Sequence, residues 1–160
     1  KELIRTGGGA TLRALFTPGH EVDHVCYYLR QDRVMFTGDT VLGASSTSVG
    51  DLAGYMKSLQ LLTTFKHDTV CPAHGPVVPA PKGANLVRWQ YEHRLGRERQ
   101  VVAALEKGIS EVSGITSDMY PKNLKKGLRP SAERNVNTHL RKLIKEETVE
   151  EIPASFKLKS

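Results

Sequence analysis

Three side chains that can bind a metal ion each stand just after a predicted strand. They are His20, Asp39 and His74, which follow the strands predicted at 11–16, 34–37 and 69–71. Gly or Pro flanks each of them, and these two residue types favour sharp turns that aim a side chain out of the sheet edge. Two imidazoles and one carboxylate suit zinc, iron or manganese. The pattern therefore predicts a metal site.

A fourth candidate, His24, lies four residues after His20, at the start of the strand predicted at 25–30. Three interpretations stay open for it: a group that supports the metal ligands, a contact for the substrate, or a hydrogen-bonded histidine at a strand start. We carry Asp39 and His24 forward as candidate catalytic residues. The loop at 43–50, rich in Ser, Thr and Gly, is a candidate rim for the same cleft.

Charge is unevenly distributed along the 160 residues, whose net charge is +6. Residues 1–84 contain 8 Lys and Arg against 7 Asp and Glu, whereas residues 85–160 contain 15 against 10. Clustered Lys and Arg favour a polyanionic partner, since phosphates attract them. The alternative, a merely solvated basic face, explains the same counts.

Hydrophobic content of 39% and charged content of 25% are typical of a globular protein. In these 160 residues no apolar run approaches the length of a membrane-spanning helix, and no stretch has the pattern of a secretory signal. Cys26 and Cys71 lie in apolar strands without CxxC spacing, which favours reduced thiols in an intracellular protein. We expect a cytoplasmic or mitochondrial location, with any targeting segment preceding Lys1.

Two domains are predicted, one at 1–84 and one at 85–160, separated by the breaker sequence Pro79-Ala80-Pro81-Lys82-Gly83. The first contains a strand meander and an amphipathic helix at 51–65, preceded by a capping-box pattern of Ser48 and Asp51 in which Asp replaces the usual Glu. The second is predicted to contain helices at 85–107, 116–124 and 131–146 and a β-ribbon at 148–158. Ser131 is the predicted N-cap of the helix at 131–146. Trp89 is assigned to the apolar side of the helix at 85–107. That order is typical of a winged helix.

The turn motifs resemble those of the metallo-β-lactamase superfamily. The matching segments are Thr17-Pro18-Gly19-His20 with His24, Phe36-Thr37-Gly38-Asp39-Thr40, and Pro72-Ala73-His74-Gly75-Pro76. The sequence after Asp39 and the basic helical tail further resemble the β-lactamase-like protein 2 group. The resemblance implies an α/β fold: the C-terminal half of an αββα sandwich, followed by a small winged-helix-like α+β domain.

The same resemblance implies a binuclear zinc site. His20 would bind the first ion, Asp39 would bridge both, and His74 would bind the second. It also implies hydrolysis, with endonucleolytic cleavage of single-stranded RNA as the activity of this group and RNA held by the basic tail. Glu21 stands where relatives usually have Thr, and we expect it to face solvent.

One superfamily motif does not occur in these 160 residues, namely His-x-His-x-Asp-His. We therefore expect the chain to be the C-terminal part of a longer protein, inactive alone, whose missing N-terminal segment or another chain completes the fold. Half of a sandwich would leave one sheet face uncovered. Two alternatives stay open: a thioester hydrolase of the glyoxalase II kind, and a non-catalytic fragment that binds nucleic acid or protein.

Overall fold

The computed structural model describes residues 2–44, 47–152 and 155–159. They form two compact units, residues 1–92 and 93–160, and the division falls inside one long helix. The predicted boundary at 84/85 lies a few residues earlier and stays a prediction. The middle of the predicted 43–50 loop and the tip of the predicted ribbon lie outside the described residues.

The first unit is a five-stranded sheet in the order β1-β2-β3-β4-β5. The first four strands pair antiparallel, and β5 pairs parallel with β4 because helix α1 makes the crossover between them. The bounds are Leu3–Arg5 for β1, Thr11–Phe16 for β2, Val25–Leu29 for β3, Val34–Gly38 for β4, Leu52–Thr63 for α1 and Thr69–Pro72 for β5.

Side chains alternate between the two faces of this sheet, as the period of a strand requires. The face toward α1 is buried at Cys26, Tyr28 and Met35. On that face the Tyr28 hydroxyl donates to the carbonyl of Lys66, just beyond α1. Each large apolar side chain buried there contributes about 1.5–3 kcal/mol.

The opposite face carries a row of residues in register across β2 to β5: Ala14, Tyr27, Phe36 and Cys71. Tyr27 and Phe36 are exposed, and so is Phe16 further along β2. This is the uncovered sheet face that the sequence predicted. Because water-facing strands rarely present rows of aromatic side chains, the face has the character of an interior surface.

Helix α1 begins later than predicted and has a different cap. Asp51, not Ser48, accepts a hydrogen bond from the backbone N–H of Ala53, with 3.1 Å between the heavy atoms. Asp51 is in extended conformation, the geometry in which a short acidic side chain can reach back to the first turn.

The second unit contains the end of helix α2 (Lys82–Glu106), helices α3 (Val112–Met119) and α4 (Arg129–Lys145), and the hairpin β6 (Val149–Ile152) and β7 (Ser155–Leu158). Its core joins all three helices to the hairpin. The buried members are Val101, Ala104, Leu105, Ile115, Val136, Leu140, Leu143 and Val149. Helix, helix, helix, hairpin is the predicted order.

Several details of helices α2 to α4 differ from prediction: α2 begins at Lys82 rather than 85, and α3 begins at Val112 rather than 116. Helix α3 ends at Met119 rather than 124, because Tyr120 is extended before Pro121, and a residue before proline avoids helical geometry. Helix α4 begins two residues before Ser131, because Pro130 fits the first turn of a helix. Trp89 is 59% exposed, since the buried side of α2 passes through Val87 and Gln90 instead.

Candidate metal centre

The turn that carries His20 is held beneath the start of α1. Gly19 has a φ of +138°, and a Cβ there would lie 2.4 Å from the Cα of Tyr55. The carbonyl oxygen of Gly19 accepts hydrogen bonds from the backbone N–H groups of Gly50 and Asp51, at 2.8 and 3.1 Å. Glycine is therefore required on two grounds, backbone conformation and space. The result is a rigid turn that presents His20 at the sheet edge.

The ring of His20 is oriented by the loop before α1. Its Nδ1 lies 2.8 Å from the carbonyl oxygen of Ser48 and 3.0 Å from the hydroxyl of Thr47. A carbonyl can only accept, so Nδ1 carries a proton and donates it there. The Nε2 lone pair is then left for a metal ion or another acceptor role. The part of the predicted 43–50 loop that the structure describes thus contacts the site.

Asp39 follows a bulge at the end of β4. The register of β4 against β5 shifts between Phe36 and Gly38, and Gly38 takes a φ of +52°. The Gly38 carbonyl accepts from the N–H of Ala73, the residue before His74, at 2.9 Å. The parallel pairing of β4 with β5 therefore brings Asp39 and His74 to the same edge.

The two imidazoles face different oxygens of the Asp39 carboxylate. His20 Nε2 lies 3.8 Å from Oδ2, and His74 Nε2 lies 3.4 Å from Oδ1. Both distances exceed those of an ordinary N–H···O hydrogen bond. The three side chains converge, but neither imidazole forms a hydrogen bond of ordinary length with the carboxylate. The His74 side chain is 76% exposed, whereas those of His20 and Asp39 are 20% and 30% exposed.

The donor set fits zinc in chemistry and in tautomer. Zinc binds imidazole nitrogen and carboxylate oxygen, and a ligating histidine ordinarily donates its other ring N–H to a carbonyl, as His20 does to Ser48. Within residues 2–44, 47–152 and 155–159, however, no group of three or more His, Cys, Asp or Glu is arranged to hold a metal ion by itself. The role of His20, Asp39 and His74 as metal ligands therefore stays a prediction at this point.

His24 stands behind Asp39. Its Nε2 accepts the backbone N–H of Asp39 at 3.2 Å, and its Nδ1 lies 3.0 Å from the Thr17 hydroxyl and 3.1 Å from that of Thr40. Burial, and next the nearby His20, lower the pKa of His24 below its ordinary value. A neutral ring with its proton on Nδ1 satisfies this arrangement.

The structure thus brings all four predicted site residues together at one sheet edge. The sequence analysis missed three hydroxyl groups that orient His20 and His24. They belong to Thr17, Thr40 and Thr47. All three threonines are buried beside turns, and buried hydroxyls need partners. That combination is the signal that could have found them. Glu21 is exposed, as predicted.

A large cleft lies elsewhere in the first unit. It measures about 940 Å³ and is lined by residues of β1 to β3 and of the segment after α1, among them Arg13, Tyr28 and Phe65. None of the four site residues lines it. This cleft is therefore separate from the group around Asp39.

A sheet edge with two histidines around one aspartate, in a chain that also contains a helical unit with a hairpin, is typical of α/β proteins that bind metal ions. Family comparison agrees: the metallo-beta-lactamase superfamily model matches residues 2–74, and the beta-lactamase associated winged helix domain model matches residues 112–156. The chain belongs to the metallo-β-lactamase superfamily. This confirms the predicted α/β fold, part of a sandwich followed by a winged helix.

Individual relatives narrow the likeness. The Beta-lactamase-like protein 2 homolog of Caenorhabditis elegans is 36% identical over 143 residues, covering 89% of this chain and 48% of that protein. An atrochrysone carboxyl ACP thioesterase of Aspergillus fumigatus is 43% identical over 98 residues, covering 61% of this chain and 30% of that protein. The chain thus spans about half the length of the first relative and less of the second.

Solved structures share the fold. A Beta-lactamase domain protein from Burkholderia ambifaria superposes with a TM-score of 0.79 at 24% identity, covering 99% of this chain and 50% of that one. A metallo-beta-lactamase family protein from Thermus thermophilus gives 0.74 at 21% identity, covering 99% and 52%. In the described part of the chain, no helix is long and apolar enough to cross a membrane.

Proposed function

We propose that the complete protein is a zinc-dependent hydrolase whose centre is built around Asp39. The observation that carries the proposal is that the Nε2 atoms of His20 and His74 face opposite oxygens of one carboxylate, at 3.8 and 3.4 Å. A carboxylate has two oxygens and can serve two neighbouring cations, which an imidazole does not do. His20 and His74 would each hold one ion, and Asp39 would bridge them.

Zinc, when bound, supplies Lewis-acid polarisation of the scissile group and acidifies water at neutral pH. The residues of this chain do the rest of the positioning. Ser48 fixes the ring of His20 through Nδ1, and His24 fixes the backbone of Asp39. The remaining ligands belong, in this proposal, to a segment outside these 160 residues, which would also cover the aromatic sheet face.

For the substrate we propose single-stranded RNA. The support is the basic character of residues 93–160, which contain 14 Lys and Arg against 9 Asp and Glu. A net charge of +5 (14 minus 9) in a winged-helix unit favours a polyanion. The resemblance to the β-lactamase-like protein 2 group points the same way. Free thiols at Cys26 and Cys71 favour an intracellular compartment, cytoplasmic or mitochondrial.

A second candidate is hydrolysis of an acyl thioester. The observation in its favour is the likeness to a protein named as an acyl-carrier thioesterase, at 43% identity over 98 residues. Attack on a thioester carbonyl and attack on a phosphodiester both need polarisation of an oxygen and an activated water, so the ligand cluster alone does not separate them.

The experiment is zinc analysis and two hydrolysis assays on the full-length protein, its Asp39→Asn variant and a matched Asp68→Asn control. Asp68 pairs with Arg33 at 3.0 Å, away from the site. We expect Asp39→Asn to lose zinc and at least about 10²-fold in rate, because the bridging carboxylate is lost, and the control to keep both. Cleavage of oligouridylate without thioester turnover supports the RNA substrate, and the reverse supports the thioester. Full zinc and full activity in Asp39→Asn would overturn the proposal.

A further inference from the structure

Helix α4 has a buried side and a basic exposed side. The buried side passes through Val136, Leu140 and Leu143, which are part of the core of the second unit. On the other side Arg134, Arg141 and Lys145 are exposed, at spacings of seven and four residues. Those spacings place the three on one face of a helix. We call these three residues the α4 basic stripe.

The other two Lys and Arg residues of α4 form ion pairs with glutamates, and Arg134 of the stripe donates to the hydroxyl of Ser131 at 2.9 Å. Arg129 pairs with Glu133 at 3.1 Å and also donates to the carbonyl of Ser113 at 2.9 Å. Lys142 is nearly buried and pairs with both Glu98 and Glu146, at 2.9 and 2.6 Å. Those charges are therefore neutralised locally. Glu133 is the one acidic residue within α4, and Glu146 follows directly after Lys145.

The orientation of the stripe is fixed by what lies behind it. His139 and Leu140 are buried on the far side of the helix, and Lys142 holds Glu98 of α2. Rotation of α4 about its axis would expose apolar area at about 25 cal/mol per Å² and break a largely buried ion pair. The stripe therefore faces solvent as a preformed row. At 1.5 Å per residue its ends are about 16 Å apart along the helix axis.

Two of the three members are arginines, which suit phosphate. A guanidinium presents a planar fork that can donate two parallel hydrogen bonds to one phosphate, and it stays charged at any working pH. The central Thr138 does not offer its proton to a ligand, because its hydroxyl donates to the carbonyl of Arg134 at 2.8 Å. The stripe therefore offers positive charge and donors for phosphate contacts.

We propose that the α4 basic stripe holds the sugar-phosphate backbone of single-stranded RNA without regard to sequence. The inference rests on the proposed RNA substrate and goes further, because it assigns the contact to Arg134, Arg141 and Lys145 rather than to the hairpin. Binding of this kind releases counterions. Its dependence on salt therefore reports the number of phosphates contacted.

The test compares two triple variants of full-length protein, each in an Asp39→Asn background so that RNA is not cleaved. The stripe variant is Arg134→Gln, Arg141→Gln and Lys145→Gln. The control variant is Lys57→Gln, Lys66→Gln and Lys82→Gln, three exposed lysines of the first unit with the same change of charge. Binding of fluorescein-labelled oligouridylate of about 20 nucleotides is followed by anisotropy. The salt series runs from about 50 to 200 mM NaCl.

We expect the stripe variant to bind about 10- to 100-fold more weakly at the low-salt end. Its plot of log affinity against log salt should become shallower by about 2, since each lost phosphate contact on a single strand is worth about 0.7. The control should keep the slope of the parent. Far-ultraviolet circular dichroism confirms that α4 is still folded in both.

Failure of this inference is distinguishable from failure of the proposed substrate. If the parent neither binds oligouridylate nor, with Asp39 restored, cleaves it, then both fall. If the parent binds but the stripe and control variants behave alike, the stripe assignment alone is overturned. It is also overturned if the stripe variant loses affinity for duplex DNA of the same length but not for RNA, since the helix would then serve a duplex.

Discussion

The backbone N–H of Asp39 donates to Nε2 of His24, 3.2 Å away, while the carboxylate of the same aspartate faces His20 and His74. One residue is therefore held from behind and offers both oxygens in front. Because the Nε2 lone pair of His24 is occupied, that nitrogen is not available as a metal ligand or as a base in this geometry. We infer that His24 positions Asp39.

Removing the His24 ring should weaken the site more than the fold. His24→Ala leaves the Asp39 N–H without its partner, and we expect a loss of about 1–3 kcal/mol of unfolding free energy. Loss of a group that supports a ligand typically costs about 10- to 100-fold in metal affinity or activity. Zinc titration of the full-length protein and urea unfolding measure the two effects.

The matched control is His67→Ala, a buried histidine of the first unit whose Nδ1 lies 2.9 Å from the Phe65 carbonyl oxygen. It should lower stability without changing zinc affinity. Equal losses of zinc affinity in both variants would mean that His24 has only a structural role.

A methyl group at position 38 should disturb His24 directly. The added Cβ of Gly38→Ala would lie 2.6 Å from Nε2 of His24, at a φ of +52°. Gly9→Ala is the control, because Gly9 also has a positive φ, +83°, but nothing lies within 4 Å of its Cβ position. Both should lose about 1 kcal/mol from backbone conformation, and only Gly38→Ala should lose more.

A double-mutant cycle identifies the clash. If His24 is what the new methyl group meets, the unfolding free energy lost by Gly38→Ala should shrink when His24 is already Ala. An undiminished loss in that background would assign the cost to the backbone alone.

The second unit should lose stability as the pH falls. Burial lowers the pKa of His139, which packs near Glu98, Arg94, Lys142 and His93; its Nδ1 lies 3.6 Å from the Glu98 carboxylate. Below about pH 6.5, the ordinary pKa of histidine, this side chain binds a proton in the unfolded chain but stays neutral in the folded chain. The free energy of unfolding therefore decreases as the pH falls.

The pKa of Glu98 is also lowered, against the effect of burial, by the nearby His139 and by its hydrogen bond from Lys142. Its contribution to the free energy of unfolding is present above the ordinary pKa of glutamate and is lost as the pH falls below that pKa. This change has the same direction as that of His139. For one proton the limit is about 1.4 kcal/mol per pH unit.

Urea unfolding at several pH values checks this, with His139→Gln and His139→Leu as comparisons. Both variants should flatten the profile between about pH 7.5 and 5.5, the range around the ordinary histidine value. A profile parallel to that of the parent in both variants would remove His139 as the cause.

The two thiols should differ in reactivity. Cys26 is fully buried, its Sγ lies 3.2 Å from the Thr17 hydroxyl, and burial raises its pKa to about 11. Cys71 is only half-buried. Since the thiolate is the reactive form, iodoacetamide at about pH 8 should label Cys71 much faster than Cys26. Mass spectrometry of the digested protein gives each rate, and equal rates would contradict the burial of Cys26.

Much of this molecule could be predicted from local patterns. The strands at Thr11–Phe16 and Val25–Leu29 and the hairpin at the end follow from alternation and turn residues, and α1 follows from its apolar periodicity. The cap of α1 and the end of α3 were predicted wrongly. In both places several neighbouring residues could set the helix end. Asp51 rather than Ser48 caps α1, and Pro121 ends α3 before the longer helical pattern does.

By itself, the sequence determined that His20, Asp39 and His74 each stand at a strand end beside Gly or Pro, because those residue types act within a few positions of the chain. Only the tertiary structure decided that the Asp39 carboxylate turns one oxygen toward each imidazole and its N–H toward His24. Those contacts depend on the parallel register of β4 with β5 and on the close approach of Gly19 to α1. Pairing between residues distant in the chain is set by packing, which no local pattern encodes.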